Sequence, residues 1–278
     1  MDTAMDILDA AFPVIHAVIF VIGVVNNVSL LLASFLRTPK TLNNYSIMIK
    51  FGTLNDLISV FSDFFTMQRL LVIPGNLIYL SLGPCSLISP RACYLVYCMQ
   101  LCTLIYSLYV MTASFAYRMW ILNFSTPSTR TVVIVMILLY FPPAILAFAF
   151  TFAQADIEIV QKFLLENAPS YLTEPGALTG HSGMTFHLVF TILFVIFTPG
   201  PVYVIIMVLR HKILARLTQH STDMSDRTKK MHGNLVQALT VHAMLPPVTC
   251  IGVLIYLILF FDMYHHVALE KAIFTSQD

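Results

Sequence analysis

Apolar residues in this chain come in long blocks, not in the strict alternation of a half-buried strand or the narrow stripe of a soluble helix. The clearest block, residues 92–117, carries no formal charge between Arg91 and Arg118. At 1.5 Å per residue it reaches roughly 39 Å, enough for a tilted helix to cross a hydrocarbon core of roughly 30 Å. Five further blocks extend the pattern, which predicts spans over about 10–36, 46–67, 92–118, 131–152, 185–209 and 234–261. Pro142-Pro143 should break the fourth span and Pro199-Gly200-Pro201 should kink the fifth. Residues 68–91 hold Pro74-Gly75-Asn76, Gly83-Pro84 and Pro90 and read as turns. The expected fold is an all-α polytopic membrane bundle of six spans over residues 1–262, with a short polar tail over 263–278.

Charge then gives the bundle a direction. The first nine residues contain Asp2, Asp6 and Asp9 but no basic stretch of the kind a cleaved signal peptide has, so the first apolar block is expected to be retained. Arg37, Lys40, Lys50, Arg118, Arg130 and the six basic residues between Arg210 and Lys230 fall on one side, eleven in all. Arg69, Arg91, Lys162 and Lys271, four in all, fall on the other. That bias predicts an amino terminus outside the cell. Composition adds two exclusions. With 58% hydrophobic residues, 10% charged residues and a mean hydropathy of +0.82, the chain is too apolar for a soluble domain. A net charge of +1 without a broad basic patch gives no ground for nucleic-acid binding.

The polar residues inside the apolar blocks are the candidate chemistry. Asp56 and Asp63 lie seven residues apart, nearly two turns, so both project from about the same face of the second span, roughly 10 Å apart along its axis. Asp56, near mid-membrane, reads either as an ion-linked switch or as a protonated or hydrogen-bonded packing residue. Arg118, flanked by Tyr117 and Trp120, reads as a coupling residue or as a snorkelling anchor, and no acid precedes it to latch it. Cys98 and Cys102 read as small packing residues. Cys85 and Cys93 lie outside, where free thiols and a disulfide are both open readings, and residues 154–184 hold no cysteine to bridge to the third span. The histidines, His16, His187 and His242 among them, read as satisfied polar residues and not as metal ligands. Asn27, Asn44 and Asn123 each open an Asn-x-Ser triplet within a span or on the inner side, where glycosylation is not expected. No phosphate loop, His-Glu-x-x-His or Gly-x-Ser-x-Gly is present, so neither an enzyme nor a cofactor is expected.

Four stretches resemble nematode serpentine chemoreceptors of the delta class. They are the run Arg37 to Ile49, the segment Ile78 to Cys85, Ser114-Phe-Ala-Tyr-Arg118, and the block Leu239 to Pro246, and the likeness extends to Asp262-Met-Tyr-His-His266. The resemblance implies a seven-helix receptor for small external chemicals that couples to heterotrimeric G proteins in the plasma membrane of sensory neurons and their cilia. It also implies a seventh span, which residues 262–278 do not supply. A truncated receptor without signalling competence is therefore one alternative reading. A small channel or transporter is another, disfavoured because the intramembrane carboxylates are confined to one span and no internal repeat is present.

In a receptor bundle of this kind the pocket opens outward. The candidate ligand contacts are Asp63 on the second span, Tyr97 and Gln100 on the third, His187 on the fifth and Tyr256 on the sixth, with Asp56, Tyr117 and Arg118 as switch and coupling candidates. The apolar surroundings point to a small, largely hydrophobic ligand with one or two polar groups. Six spans and an outside amino terminus place both ends outside. Epitope tags at the two termini should thus stain without permeabilisation, and a carboxyl-terminal tag visible only after permeabilisation would defeat the six-span count.

Overall fold

The computed structural model describes residues 2–36, 43–73, 76–167, 169–172, 175–181, 183, 185–219 and 237. The expected sixth span, 234–261, and the tail therefore lie outside the described residues, apart from Gln237. Helix α1 runs Asp2–Leu36 and α2 runs back over Asn43–Thr66. A hairpin of strands β1 (Gln68–Ile73) and β2 (Asn76–Ser81) leads through a 3-10 turn, Pro84–Leu87, into α3 (Pro90–Asn123). Helix α4 (Thr129–Thr151) is followed by a short α5 (Ile157–Asn167) and strand β3 (Ala177–His181). Helices α6 (Phe186–Phe197) and α7 (Pro199–Gln219) complete the described chain.

Local chemistry fixes where these helices start and stop. Ser89 accepts a hydrogen bond from the Ala92 amide at 3.1 Å, with Pro90 in the first helical position where its missing N–H costs nothing. Ser128 and Thr185 cap α4 and α6 in the same way. Helix α6 ends at Thr198, and Pro199 opens α7, so the fifth span carries the expected interruption. Helix α4, by contrast, is continuous through Pro142 and Pro143 and is not broken there. Two missing amide donors are tolerated in an apolar helix when neighbouring geometry adjusts.

Four described helices are long and apolar enough to cross a membrane: Ala11–Leu36, Pro90–Asn123, Thr129–Thr151 and Phe186–Arg216, the last uniting α6 and α7. Helix α2 is not among them, because it carries Lys50, Asp56 and Asp63, yet it packs between α1 and α3. Half of the most apolar stretch of α3 is buried, against 6% in α1, so α3 is the central helix. Its Tyr106 and Val110 pack with Met136 of α4 and Met48 of α2, while Leu108 and Phe115 pack with Val202, Ile206 and Ile213 of α7. Gly23 brings α1 so close to α2 that an added Cβ would sit 2.9 Å from Val60.

One end of the bundle carries a feature that the turn-rich reading of residues 68–91 did not predict, a three-stranded antiparallel sheet in the order β1-β2-β3. Its central strand obeys the two-residue period of a sheet buried on both faces. Leu77 and Tyr79 face the bundle with Tyr94 and Cys98 of α3, whereas Ile78 and Leu80 face Val160 and Leu164 of α5. Sheet and α5 form two layers over the end of the helices, referred to below as the sheet end. Gly83 returns the chain beside α2, where a Cβ would meet the Phe65 carbonyl at 2.3 Å, so no larger residue fits. Next to it Cys85 and Cys93 are joined by a buried disulfide across a sequence separation of eight, packed on Ala177 and Phe65. Loop-closure entropy for so short a ring gives a stabilisation of about 2–3 kcal/mol. The double variant Cys85→Ser/Cys93→Ser should lower the thermal midpoint in detergent, and reductant should lower the wild-type midpoint by a similar amount while leaving the variant unchanged.

Candidate functional site

The two carboxylates of α2 both turn toward α3, as their spacing predicts for residues on one helical face. Ser107 donates to Asp56 Oδ1 at 2.9 Å, and Gln100 Nε2 donates to Asp63 Oδ1 at 3.0 Å. The separations match, seven residues on each helix, which is how two antiparallel helices pair residues along a seam. Asn55 completes the deeper pair, its amide donating to the Thr103 carbonyl at 2.9 Å and to Ser107 Oγ at 2.8 Å. Ser107 is therefore a relay that accepts from Asn55 and donates to Asp56. Two turns nearer the sheet end, His16 of α1 donates from Nδ1 to Asp63 Oδ2 at 2.9 Å, and Thr66 Oγ1 reaches Gln100 Oε1 at 3.5 Å. Asp63 thus ties three helices together while its side chain stays 31% exposed, which leaves the carboxylate within reach of a solute.

The other expected contacts separate from this knot. Tyr97, one turn along α3 from Gln100, places its ring 4.9 Å from Tyr79 and 6.1 Å from Phe150, under the sheet. His187 lies in the first turn of α6, its ring 5.9 Å from Phe152 and 5.8 Å from Phe186. Tyr256 lies outside the described residues. Asp63 and Gln100 are therefore brought together, Tyr97 stands beside them, and His187 belongs to another surface.

At the opposite end Arg118 is buried, only 6% exposed, and is not a snorkelling residue at the rim. Its guanidinium donates to Tyr45 Oη at 2.6 Å and lies 5.0 Å from the centre of that ring. Tyr117 packs 6.0 Å from the same ring. Tyr45 opens α2, and the neighbouring Asn44 holds the following connection, donating to the Pro127 carbonyl at 2.7 Å and accepting from Thr129 at 2.8 Å. One aromatic side chain of α2 thus takes the place of the missing acid beside Arg118. Cys98 and Cys102 are buried and free, as packing residues.

Sequence reasoning read His16 as a satisfied polar residue without naming its partner; it missed Asn55, Ser107 and Tyr45, and it missed a further cluster at the sheet end. There His181 of β3 is enclosed by Tyr79, Tyr94 and Phe150, with ring centres 5.5, 5.7 and 5.1 Å away. Its Nδ1 donates to the Ala153 carbonyl at 2.6 Å, and burial pushes the imidazole down from its ordinary value of 6.5 to about 4. A signal for the seam was present in the sequence: Gln100, Thr103 and Ser107 recur at helical spacing on an otherwise apolar helix. Among the described residues no group of three or more His, Cys, Asp or Glu could hold a metal ion.

Comparison with known proteins places this architecture. A family model described as "Serpentine type 7TM GPCR chemoreceptor Srd" matches residues 12–277. Serpentine receptor class delta-19 of Caenorhabditis elegans is 31% identical over 240 residues, covering 84% of this chain and 71% of that protein. Serpentine receptor class delta-3 of the same organism is 26% identical over 98% of this chain and 81% of its own length. Serpentine receptor class delta-18 is 29% identical over 91% of this chain and 77% of its own. With a match running almost from end to end, the chain belongs to the serpentine type 7TM GPCR chemoreceptor Srd family.

Proposed function

We propose that this chemoreceptor-type protein binds a small external molecule beside Asp63 and Gln100 and passes the signal to a heterotrimeric G protein at the opposite end. The observation that carries the reading is the His16-Asp63-Gln100 knot, a half-exposed carboxylate held by donors from two other helices near the sheet end. Both oxygens of Asp63 are engaged by donor side chains, so a ligand bearing a hydrogen-bond donor competes for them and loosens α1 and α3 from α2. Tyr97 and the aromatic residues of α1 and α2, among them Phe20 stacked 4.4 Å from Phe64, supply apolar surface for the rest of a small hydrophobic ligand. His187 and Tyr256 are not needed for this pocket. In this reading the sheet end faces outside, in accord with the basic-residue bias, and the protein resides in the plasma membrane of sensory neurons and their cilia.

Coupling is assigned to Arg118, Tyr117 and Tyr45, with Asp56, Ser107 and Asn55 as the polar seam between the two ends. A charge-assisted hydrogen bond contributes about 1.5–3 kcal/mol, or roughly a ten- to hundredfold change in an equilibrium constant. Asp63→Ala and Gln100→Ala should each weaken the ligand dose response within that range at normal surface expression, and an unchanged dose response in both removes this pocket. Arg118→Ala should instead leave ligand affinity within threefold of wild type and reduce the maximal G-protein response. A loss of affinity with an intact maximum would place Arg118 in the binding site and not in coupling.

A further inference from the structure

We propose that His181 is a proton-operated latch on the cap: when its imidazole takes up a second proton, β3 releases α4 and α3 and the two layers over the sheet end loosen. The inference concerns the unliganded chain, so it stands or falls separately from the ligand pocket at Asp63.

The latch is built from hydrogen-bond polarity. A carbonyl oxygen only accepts, so the 2.6 Å contact with Ala153 requires the hydrogen on Nδ1. That tautomer leaves Nε2 as an acceptor, and Tyr79 Oη lies 3.3 Å from it as the donor. The neutral ring thus joins β3 both to the end of α4 and to β2. Tyr94, one of its ring neighbours, donates to the Phe150 carbonyl at 2.6 Å and holds α3 to the same point on α4. A second proton on Nε2 ends the acceptor role and places a full charge in a site that is 2% exposed.

The surroundings offer that charge little. Among the described residues, the titratable groups against it are the phenols of Tyr79 from β2 and Tyr94 from α3, with Tyr97 and Cys98 of α3 packed behind them. Helix α4 contributes the Phe150 ring, and Ala153, two residues past its end, contributes its carbonyl. The α5 side chains Val160 and Leu164 pack on the other face of the sheet. Arg91, the cation near this end of α3, donates to Gln154. Among the described residues no carboxylate is in hydrogen-bond or ion-pair contact with His181. Attraction to the surrounding rings does not offset the loss of hydration.

The sign follows from the depressed value. Folded His181 binds its proton near pH 4, whereas a released imidazole binds it near 6.5, so protons favour the released cap. Latch stability is complete above about pH 6.5 and is lost as pH falls from 6.5 toward 4. Strand β3 has five residues and, among the described residues, pairs only with β2; it is otherwise held by the Ala155 amide, which donates to the Gly180 carbonyl at 2.9 Å, and by the packing of Ala177 on the disulfide and of Leu178 among the α5 side chains.

Hydrogen exchange on the whole chain in lipid nanodiscs tests the latch. After correction for intrinsic exchange, the amides of residues 76–81 and 177–181 should exchange about tenfold faster at pH 5.5 than at pH 7.5, and about seventyfold faster at pH 4.5. In His181→Gln the side-chain amide still donates to Ala153 but does not titrate, so protection should be independent of pH. Tyr79→Phe removes the donor that favours the neutral ring and so raises the folded-state value toward 6.5; it should lower protection at pH 7.5 and shrink the loosening between pH 7.5 and 4.5, which carries the test if the glutamine variant is unprotected even at pH 7.5. Wild-type protection equal at pH 7.5 and 4.5, an unaltered pH response in His181→Gln, or a pH response in Tyr79→Phe as large as that of the wild type would each overturn the proposal.

Discussion

A carboxylate inside a bilayer has no bulk water to solvate it, so its hydrogen-bond donors have to come from the protein or from water held within it. Helix α2 carries two such groups, and the arrangement of the first three helices follows from where their donors lie. Ser107 and Gln100 occupy positions on α3 with the same seven-residue separation as Asp56 and Asp63 on α2, which fixes both the rotation and the axial register of the pair. Sliding α3 by one residue would strand both carboxylates at once. Helix α1 joins through His16 at one end and through Ser34, whose hydroxyl lies 2.9 Å from that of Ser46, toward the other. The least apolar of the first four helices is thus held by polar pairs on two sides, and its more lipid-compatible neighbours shield it.

The sheet end solves a different problem, that of holding a long connection over the helices. Residues 154–184 contain no cysteine, so a covalent tie to the central helix is not available. The connection is instead threaded as β3 onto the hairpin between α2 and α3, with the ladder running from Leu77 opposite His181 to Ser81 opposite Ala177. The hairpin is itself fastened to α3 by the Cys85–Cys93 disulfide. The covalent bond secures β1 and β2, and backbone hydrogen bonds, Tyr79 and His181 secure β3 to them. That division leaves the noncovalent half responsive to conditions in a way that a second disulfide would not be.

How far the sequence revealed this depends on the range of the interaction. Long apolar helices were legible at the first, third, fourth and fifth expected spans because an apolar block longer than a bilayer is a local property, and the shared face of Asp56 and Asp63 because it follows from helical period alone. The break at Thr198 was legible from Pro199, whereas the continuity of α4 through Pro142 and Pro143 was not, since proline weakens a helix locally and neighbouring packing decides whether it yields. Residues 68–91 were read as turns, and strands β1 and β2 were not read, because β2 is buried on both faces and lacks polar alternation. His16, Tyr45 and His181 find their partners across 47, 73 and 28 or more residues, and no local pattern reports such pairings.

Helix α3 connects the two ends mechanically. Gln100 and Arg118 are eighteen residues apart, roughly 27 Å along a straight helix. Between them α3 has no proline or glycine, in contrast to α4 with its two prolines and the α6–α7 span with its interruption at Thr198. A helix without a weak point does not absorb a displacement by bending, so movement at Gln100 is delivered to Arg118 as translation or rotation of the whole rod. Its neighbours at the far end are placed to register that movement. Tyr45 follows α2 and Arg118 follows α3, so any shift of one helix against the other changes a 2.6 Å hydrogen bond whose geometry tolerates only a few tenths of an ångström. The same two helices carry the Asp63–Gln100 pair, and the seam at Asn55, Asp56 and Ser107 lies between. Contacts at both ends therefore report on one relative coordinate, the position of α3 against α2.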